Sequence, residues 1–524
     1  MGQEISQAYT PPPLTLRDCL VDGQIDLTRY RLYARRVYEN EYENLNVSNK
    51  KKRKEVETQI KEKKIRSVKR HHIQVPNKDG TMRNLTFKES TWYNLYINSP
   101  PTSKRKLKIF RRRFRLPYEE FIKMVDDLKT HEYFTRWTKK DCIGNQPSDI
   151  RLLLLGTLRY LGRALTFDDI EEYSFISAEV HRNFFTSFLE YGTTVLYNKY
   201  VIGPASEEDV SVFEKIFALA GFNGCIGSTD GTHVGMLQCP SWATINHTGH
   251  KLAIPSRNYN ATVTHSHQIL GTTCGHPGTW NDKTLIMFDD LIRGVKEGHH
   301  YSNNEFKLLE LDKDKNEVEV TYQGAWFIVD NGYLNWSCTV PPMKHPVSYQ
   351  QIRFSEWLES MRKDVECTFG SLKRRFAILK YGIRLSSIEQ CDKVWRTCCA
   401  LHNLLLFYDN LDKGWDKGKN IYKCDNDDND NNNDEDDGGE DDDEDDDVPF
   451  ALTRLNRLSN TNVPSNYTEY TDKYFDKYTI EGKRLVSKLP LDVFQERLIH
   501  HFDIRFKKND IQWPQRTKPK DTQT

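Results

Sequence analysis

The chain of 524 residues has no apolar run near the roughly 20 residues that a membrane-crossing helix needs, so no such helix is expected. Its start, MGQEISQAYTPPP, lacks the basic-then-apolar layout of a secretory leader. Met-Gly-Gln-Glu-Ile-Ser does fit the loose pattern for N-myristoylation, one that chance often supplies. Eleven cysteines form no CxxC pair and no regular framework, which argues against a disulfide scaffold and for a reducing compartment, cytosol or nucleus. Cys239, His247 and His250, or His265, His267, Cys274 and His276, lack zinc-finger spacing and read better as buried thiols and satisfied histidines. No internal repeat is present.

Net charge is also missing, but only on balance. Lys and Arg number 75, and so do Asp and Glu, yet residues 425–447 hold 16 acidic side chains and no basic one. The rest of the chain therefore carries +16. That excess sits early, at 50–54, 61–70 and 104–115; the last block, KRKLKIFRRRFR, has eight basic residues in twelve. A basic body favours a polyanionic partner, most often nucleic acid, and KKKRK suits a nuclear localisation signal. The plainer reading of each block is a solvated helix face.

Five segments follow from these shifts. Residues 1–103 are expected to be basic and largely disordered, 104–205 helical and a candidate DNA-binding domain, and 206–412 α/β. An acidic disordered linker, 413–448, and a C-terminal tail with a short helix, 449–524, complete the chain. The fold class is α/β, a mixed sheet flanked by helices and preceded by a helical, helix-turn-helix-like domain. Within the helical segment, helices are expected near 148–161, 166–173 and 177–190, the second opened by a Thr166/Asp169 capping box. Three short helices with a polar last one suit either a helix-turn-helix or an ordinary packing bundle. Further on, CIGSTDGTHVGM reads as a strand entering and leaving a turn, EFKLLEL and EVEVTYQ as a hairpin, and AWFIV as a buried strand. Val365, Phe369, Leu372, Phe376 and Leu379 recur at steps of 4, 3, 4 and 3 along an amphipathic helix.

Metal-assisted cleavage of a phosphodiester needs hard oxygen ligands brought to one point from rigid elements. Asp230 after CIGST, Asp330 after AWFIV and Glu366 beside Val365 occupy such mounts. With 75 acidic residues available, placement alone is weak evidence. Gly370 leaves room for a backbone or a phosphate to approach, and Lys373 is a candidate phosphate contact.

The wording of the motifs is more specific. IGSTDGTHVGM, HPGTWNDKTL, FIVDNGYL, RKDVECTFGSLKRRFAIL and CCALHNLL occur in that order, with FRRRFRLPYEEF upstream. Across roughly 104–410 the chain resembles the DDE endonucleases of the PIF/Harbinger transposase superfamily. The resemblance implies a sheet of RNase H type, two Mg²⁺ or Mn²⁺ ions, and Asp230, Asp330 and Glu366 as catalytic and metal-binding residues. Asp230 would bridge both ions, with Asp330 on one and Glu366 on the other. It implies cutting at terminal repeats of an element and joining to target DNA, with a homodimer and a Myb-like accessory protein as expected partners. Candidate DNA contacts are Lys104, Arg105, Arg111, Arg112, Arg113, Arg182 and Lys373. The second motif departs from the family in reading Val329-Asp330-Asn331-Gly332-Tyr333-Leu334, and Asn281 stands where a His is frequent. Neither change removes a ligand, and His233 reads as structural. Two further readings stay open: a domesticated descendant that binds DNA or chromatin without cutting, and an unrelated nuclease acting on RNA.

Overall fold

The computed structural model describes residues 74–77, 79–140, 144, 146–204, 207–415, 417–419 and 472–517, and the paired strands Leu20–Val21 and Gln24–Ile25. The basic runs at 50–54 and 61–70 and the acidic tract at 425–447 lie outside the described residues. Two units divide the chain, Met1–His72 and Ile73–Thr524, and the second holds every element named below.

The basic block forms α1 (Lys104–Phe114), whose first turn is closed by Ser103 accepting from the Lys106 N–H. Phe110 and Phe114 enter the core while the charges stay outside. Next come α2 (Tyr118–Thr130), α3 (Ile150–Arg163), α4 (Phe167–Ser174) and α5 (Ala178–Tyr191), the last three within two residues of expectation. The Thr166/Asp169 box is formed in both directions. These helices share one core with the strands and helices downstream, because α3 and α5 bury Leu152 to Leu155, Phe184, Phe185 and Phe188. Residues before 104 reach that core too. Trp92 and Tyr96 meet Phe114 edge-on, with ring centres 5.6 and 5.0 Å apart. The expectation of disorder up to residue 103 is therefore corrected for this stretch: large aromatic side chains outweigh a polar local composition.

Beyond α6 (Glu207–Leu219) the chain lays down β1 (Cys225–Gly235), β2 (Ser256–Val263), β3 (Ile269–Thr272) and β4 (His276–Pro277). After α7 (Asp290–Glu297) come the hairpin β5 (Glu305–Leu311) and β6 (Glu317–Gln323), then β7 (Trp326–Ile328) and β8 (Thr339–Val340). Two long helices follow, α8 (Tyr349–Arg375) and α9 (Ile388–Tyr408). The main sheet runs β8-β7-β1-β2-β3, with β4 also on β2. β8, β7 and β1 are parallel, and β2 and β3 antiparallel to their neighbours. Every residue of β2 is buried, as befits a strand covered on both faces. The expected turn inside CIGSTDGTHVGM is absent. β1 is one strand paired without a break from Ser228 to Gly235, and its glycines mark close approaches. A Cβ on Gly227 would lie 2.7 Å from the Val263 carbonyl oxygen.

The tail expected after residue 449 is instead part of the structure over the described residues 472–517. It supplies β9 (Thr479–Ile480), β10 (Lys483–Leu485) and α10 (Leu491–Lys507). β10 pairs in parallel with β6, extending the hairpin sheet. Phe494, Leu498 and Phe502 of α10 join Phe222, Trp326, Phe354 and Trp357 in a second core. Polar residues hide this burial from a pattern reading, because each finds a partner across the interface. His501 accepts the Leu309 N–H at 2.9 Å, and Asp503 takes Arg353 at 2.8 Å.

Candidate active site

Register places the first two carboxylates. Ile328, the last residue of β7, pairs with Ser228 of β1 in parallel, so Asp330, two residues past the end of β7, comes beside Asp230 on β1. Neighbouring strands run about 4.8 Å apart. Each aspartate is steadied by a nearby backbone donor: Asp230 accepts the Gly231 N–H and Asp330 the Gly332 N–H, both at 2.7 Å. Asp230 lies inside β1 and not at its end, because β1 continues past it.

The third carboxylate depends on how α8 is turned. Val365 is fully buried, and Asp364 and Thr368 face the turn between β2 and β3. There Asp364 meets His265 at 2.8 Å and Thr368 meets His267 at 2.9 Å. The Ser228 hydroxyl donates to the Met361 carbonyl at 3.4 Å, tying the helix to β1. With those faces committed, Glu366 points outward, half-exposed, on the side of Asp230. Arg362, one turn before it, links the two: its Nη1 lies 2.9 Å from Glu366 and 3.4 Å from Asp230.

A fourth carboxylate joins them that the sequence reading gave no role. Asp282 opens a short helical turn, Asp282–Leu285, capped by the Asn281 side chain. A Cβ built on Gly332 would lie 2.9 Å from Asp330 Oδ1 and 3.1 Å from Asp282 Oδ2, so both acids crowd that glycine. The signal lay in the Asn-Asp of HPGTWND, but its distance from Asp330 in sequence concealed the meeting.

Electrostatically the group is short of positive charge. Burial pushes the Asp230 carboxyl up to about 6, and Asp330 and Asp282 push it the same way, against the pull of the Gly231 N–H and Arg362. Asp282 is also raised, by burial and by Asp330, with Lys251 opposing at 3.8 Å. Asp282 Oδ1 is buried and accepts no hydrogen bond, and the same holds for Asn258 Oδ1 across Gly231. Hard, under-satisfied oxygens in a low-dielectric pocket fit a divalent cation. Among the described residues no three acidic, histidine or cysteine side chains already stand as a finished metal cage. Gly332→Ala is expected to spread Asp330 and Asp282 and to weaken Mn²⁺ binding about tenfold with little change in melting temperature. Isothermal titration checks this, and unchanged affinity would mean the two acids share no ligand.

Of the expected DNA contacts, Lys373 touches β1. Its ammonium donates to Thr232 at 2.7 Å and to the His233 carbonyl at 3.2 Å, and burial lowers its pKa. The others belong to the helical layer. Lys104, Arg105 and Arg112 are exposed, Arg111 pairs with Asp409, Arg113 donates to the Tyr96 hydroxyl, and Arg182 pairs with Glu179. His233 bridges to Ser256 at 3.2 Å. Gly370 is exposed, and a Cβ there would meet nothing within 4 Å. The histidines once weighed as zinc ligands have other partners: His247 meets Arg257, His265 meets Asp364 and His276 stacks on Trp280.

A mixed sheet with one acid on a strand, another just past the end of the parallel strand beside it and a third on a helix packed against them defines a candidate nuclease-type centre. Residues 198–412, which include all four carboxylates, match the family described as plant transposon protein. The resemblance to Harbinger-type transposases therefore holds for this segment. One similar relative is the Mus musculus protein named "Putative nuclease HARBI1", 22% identical over 222 residues. That match covers 42% of this chain and 55% of the relative, so the chain spans about half the length of the curated protein it matches. No solved structure matches. Among the described residues no helix is long and apolar enough to cross a membrane.

Proposed function

We propose that the chain is a metal-dependent DNA endonuclease of the transposase type, with Asp230, Asp330 and Glu366 as its catalytic carboxylates and Asp282 beside them. The observation that carries this reading is the β7–β1 register, which brings Asp330, just past the end of β7, beside Asp230 on β1, 100 positions away, under the Glu366 face of α8. The strand order, with three parallel strands, then β2 running against them and β3 turning back antiparallel to β2, supports a sheet of RNase H type.

Asp230, Asp330 and Asp282 would hold Mg²⁺ or Mn²⁺, two ions on the family pattern, with Glu366 completing the set. When bound, such ions lower the pKa of an attacking water and offset charge on the leaving oxygen. The protein's own share is to hold these acids on rigid strands, to keep them ionised against their mutual repulsion, and to offer cations to the phosphate backbone. Exposed Lys104, Arg105 and Arg112 suit that last role, as does the basic balance of the chain outside its acidic tract. DNA as partner, action as a dimer and residence in the nucleus belong to the same proposal.

The test is cutting of DNA carrying the repeats that flank the gene, with Mn²⁺ and with chelator. Cuts at defined ends that vanish with chelator support the enzyme. Salt-sensitive DNA binding with no cutting under either condition would favour a domesticated binding protein.

A further inference from the structure

Among the described residues Lys251 pairs with Asp282, while Arg362 is the cation paired with both Asp230 and Glu366. Its Nη1 spans Asp230 at 3.4 Å and Glu366 at 2.9 Å, and its side chain is only 19% exposed. We propose that Arg362 is a guanidinium latch: it occupies the gap between Asp230 and Glu366 before a divalent ion arrives, and must leave that gap for the ion to bind. This rests on the metal-site reading above and adds to it a competition inside the site.

Three observations carry it. Asp230, Asp330 and Asp282 repel one another in a buried setting, and the Arg362 guanidinium 3.4 Å away attracts Asp230. An arginine stays charged under any working condition, so its hold on the pair does not lapse. The pairing also fits the placement of the acids: Glu366 turns to the guanidinium one turn away on its own helix, and Asp330 and Asp282 crowd Gly332. Arg362 therefore positions both acids, spacing them with a cation of roughly the right sign and place. The hold is a loose one. At 3.4 Å the contact to Asp230 is long for a charged pair, and Glu366 is half-exposed, so the latch can be displaced. A rigid bidentate clamp in the same place would shut metal out.

The experiment is calorimetric titration of Mn²⁺ into the full chain, free of DNA, for wild type, Arg362→Gln, Arg362→Lys and Asp330→Ala. Arg362→Gln removes the competing charge and is expected to bind Mn²⁺ at least about fivefold more tightly than wild type. Arg362→Lys keeps the charge and should stay near wild type, whereas Asp330→Ala should lose binding. Thermal unfolding gives a second reading: without metal Arg362→Gln should melt below wild type, and saturating Mn²⁺ should raise its melting temperature by more. Equal or weaker Mn²⁺ binding by Arg362→Gln, with Asp330→Ala still defective, would overturn the latch and leave the metal site standing. If neither wild type nor Arg362→Gln binds Mn²⁺, the metal-site reading itself falls, and the latch with it.

Discussion

Glu366→Ala and Asp230→Asn are both expected to lose Mn²⁺-dependent cutting by orders of magnitude, yet to shift the stability of the metal-free protein differently. Glu366 is half-exposed and lies mid-helix, where Ala is well tolerated, so its removal should change unfolding free energy by no more than about 0.5 kcal/mol. Asp230 is a strained group. Its carboxyl is pushed up to about 6 by burial and by two neighbouring acids. A carboxyl raised in this way favours the fold at low pH. Its contribution is complete below the unfolded value near 4 and is lost as the pH rises through about 6. At pH 7.5 the ionised Asp230 therefore costs the metal-free fold about 3 kcal/mol, as an upper bound that the lost Arg362 contact reduces. Asp230→Asn should recover part of that cost, more at pH 7.5 than at about pH 4.5. Urea unfolding in chelator at the two pH values decides the matter. A gain of the same size at both would show that charge is not its source. Full cutting by Asp230→Asn would remove that residue from the active site.

Asp503→Ala is expected to be strongly destabilising, at about 3–5 kcal/mol, because it strands a buried charge. The Arg353 and Asp503 side chains are 10% and 3% exposed and meet at 2.8 Å, joining α8 to α10. Asp503 also accepts from Gln350 at 3.0 Å and from Lys507 at 2.6 Å. Arg353 retains the Phe506 ring, 4.2 Å away, which places the loss toward the lower end of that range. Asp503→Asn keeps an acceptor and should lose less. Arg353 lies 13 residues before Glu366, about 20 Å along the helix, so cutting by the folded fraction should be unchanged. Denaturant midpoints measured beside active-fraction kinetics separate the two effects. An unchanged midpoint would mean the C-terminal segment is not held by this pair.

The contrast between these two sites shows what was legible in the residues. α3, α4 and α5 lay within two residues of expectation, since leucine and phenylalanine spacing and a Thr/Asp cap are local signals. The stripe of α8 was equally plain through Val365, Phe369 and Leu372, which puts Val365 inside and Glu366 beside it. The helix expected to run through Leu379 stops at Arg375, however: Phe376 leaves helical geometry and Leu379 belongs to a separate short helix, Ala377–Tyr381. β1 was misread because glycines inside a strand carry the same letters as glycines in a turn. α10 was underestimated because its histidines, arginines and Asp503 look solvated until the opposing surface is known.

By itself, then, the sequence determined the helices of the first layer, the basic balance of the body and the identity of Asp230, Asp330 and Glu366 as candidates, which rest on local periodicity, composition and short motifs. Only the tertiary structure decided who meets whom. Arg362 between Asp230 and Glu366, Asp282 against Asp330 across Gly332, and Lys373 on the β1 backbone each depend on strand register or helix rotation. Those are set by packing among elements up to 141 positions apart, which no window of sequence contains.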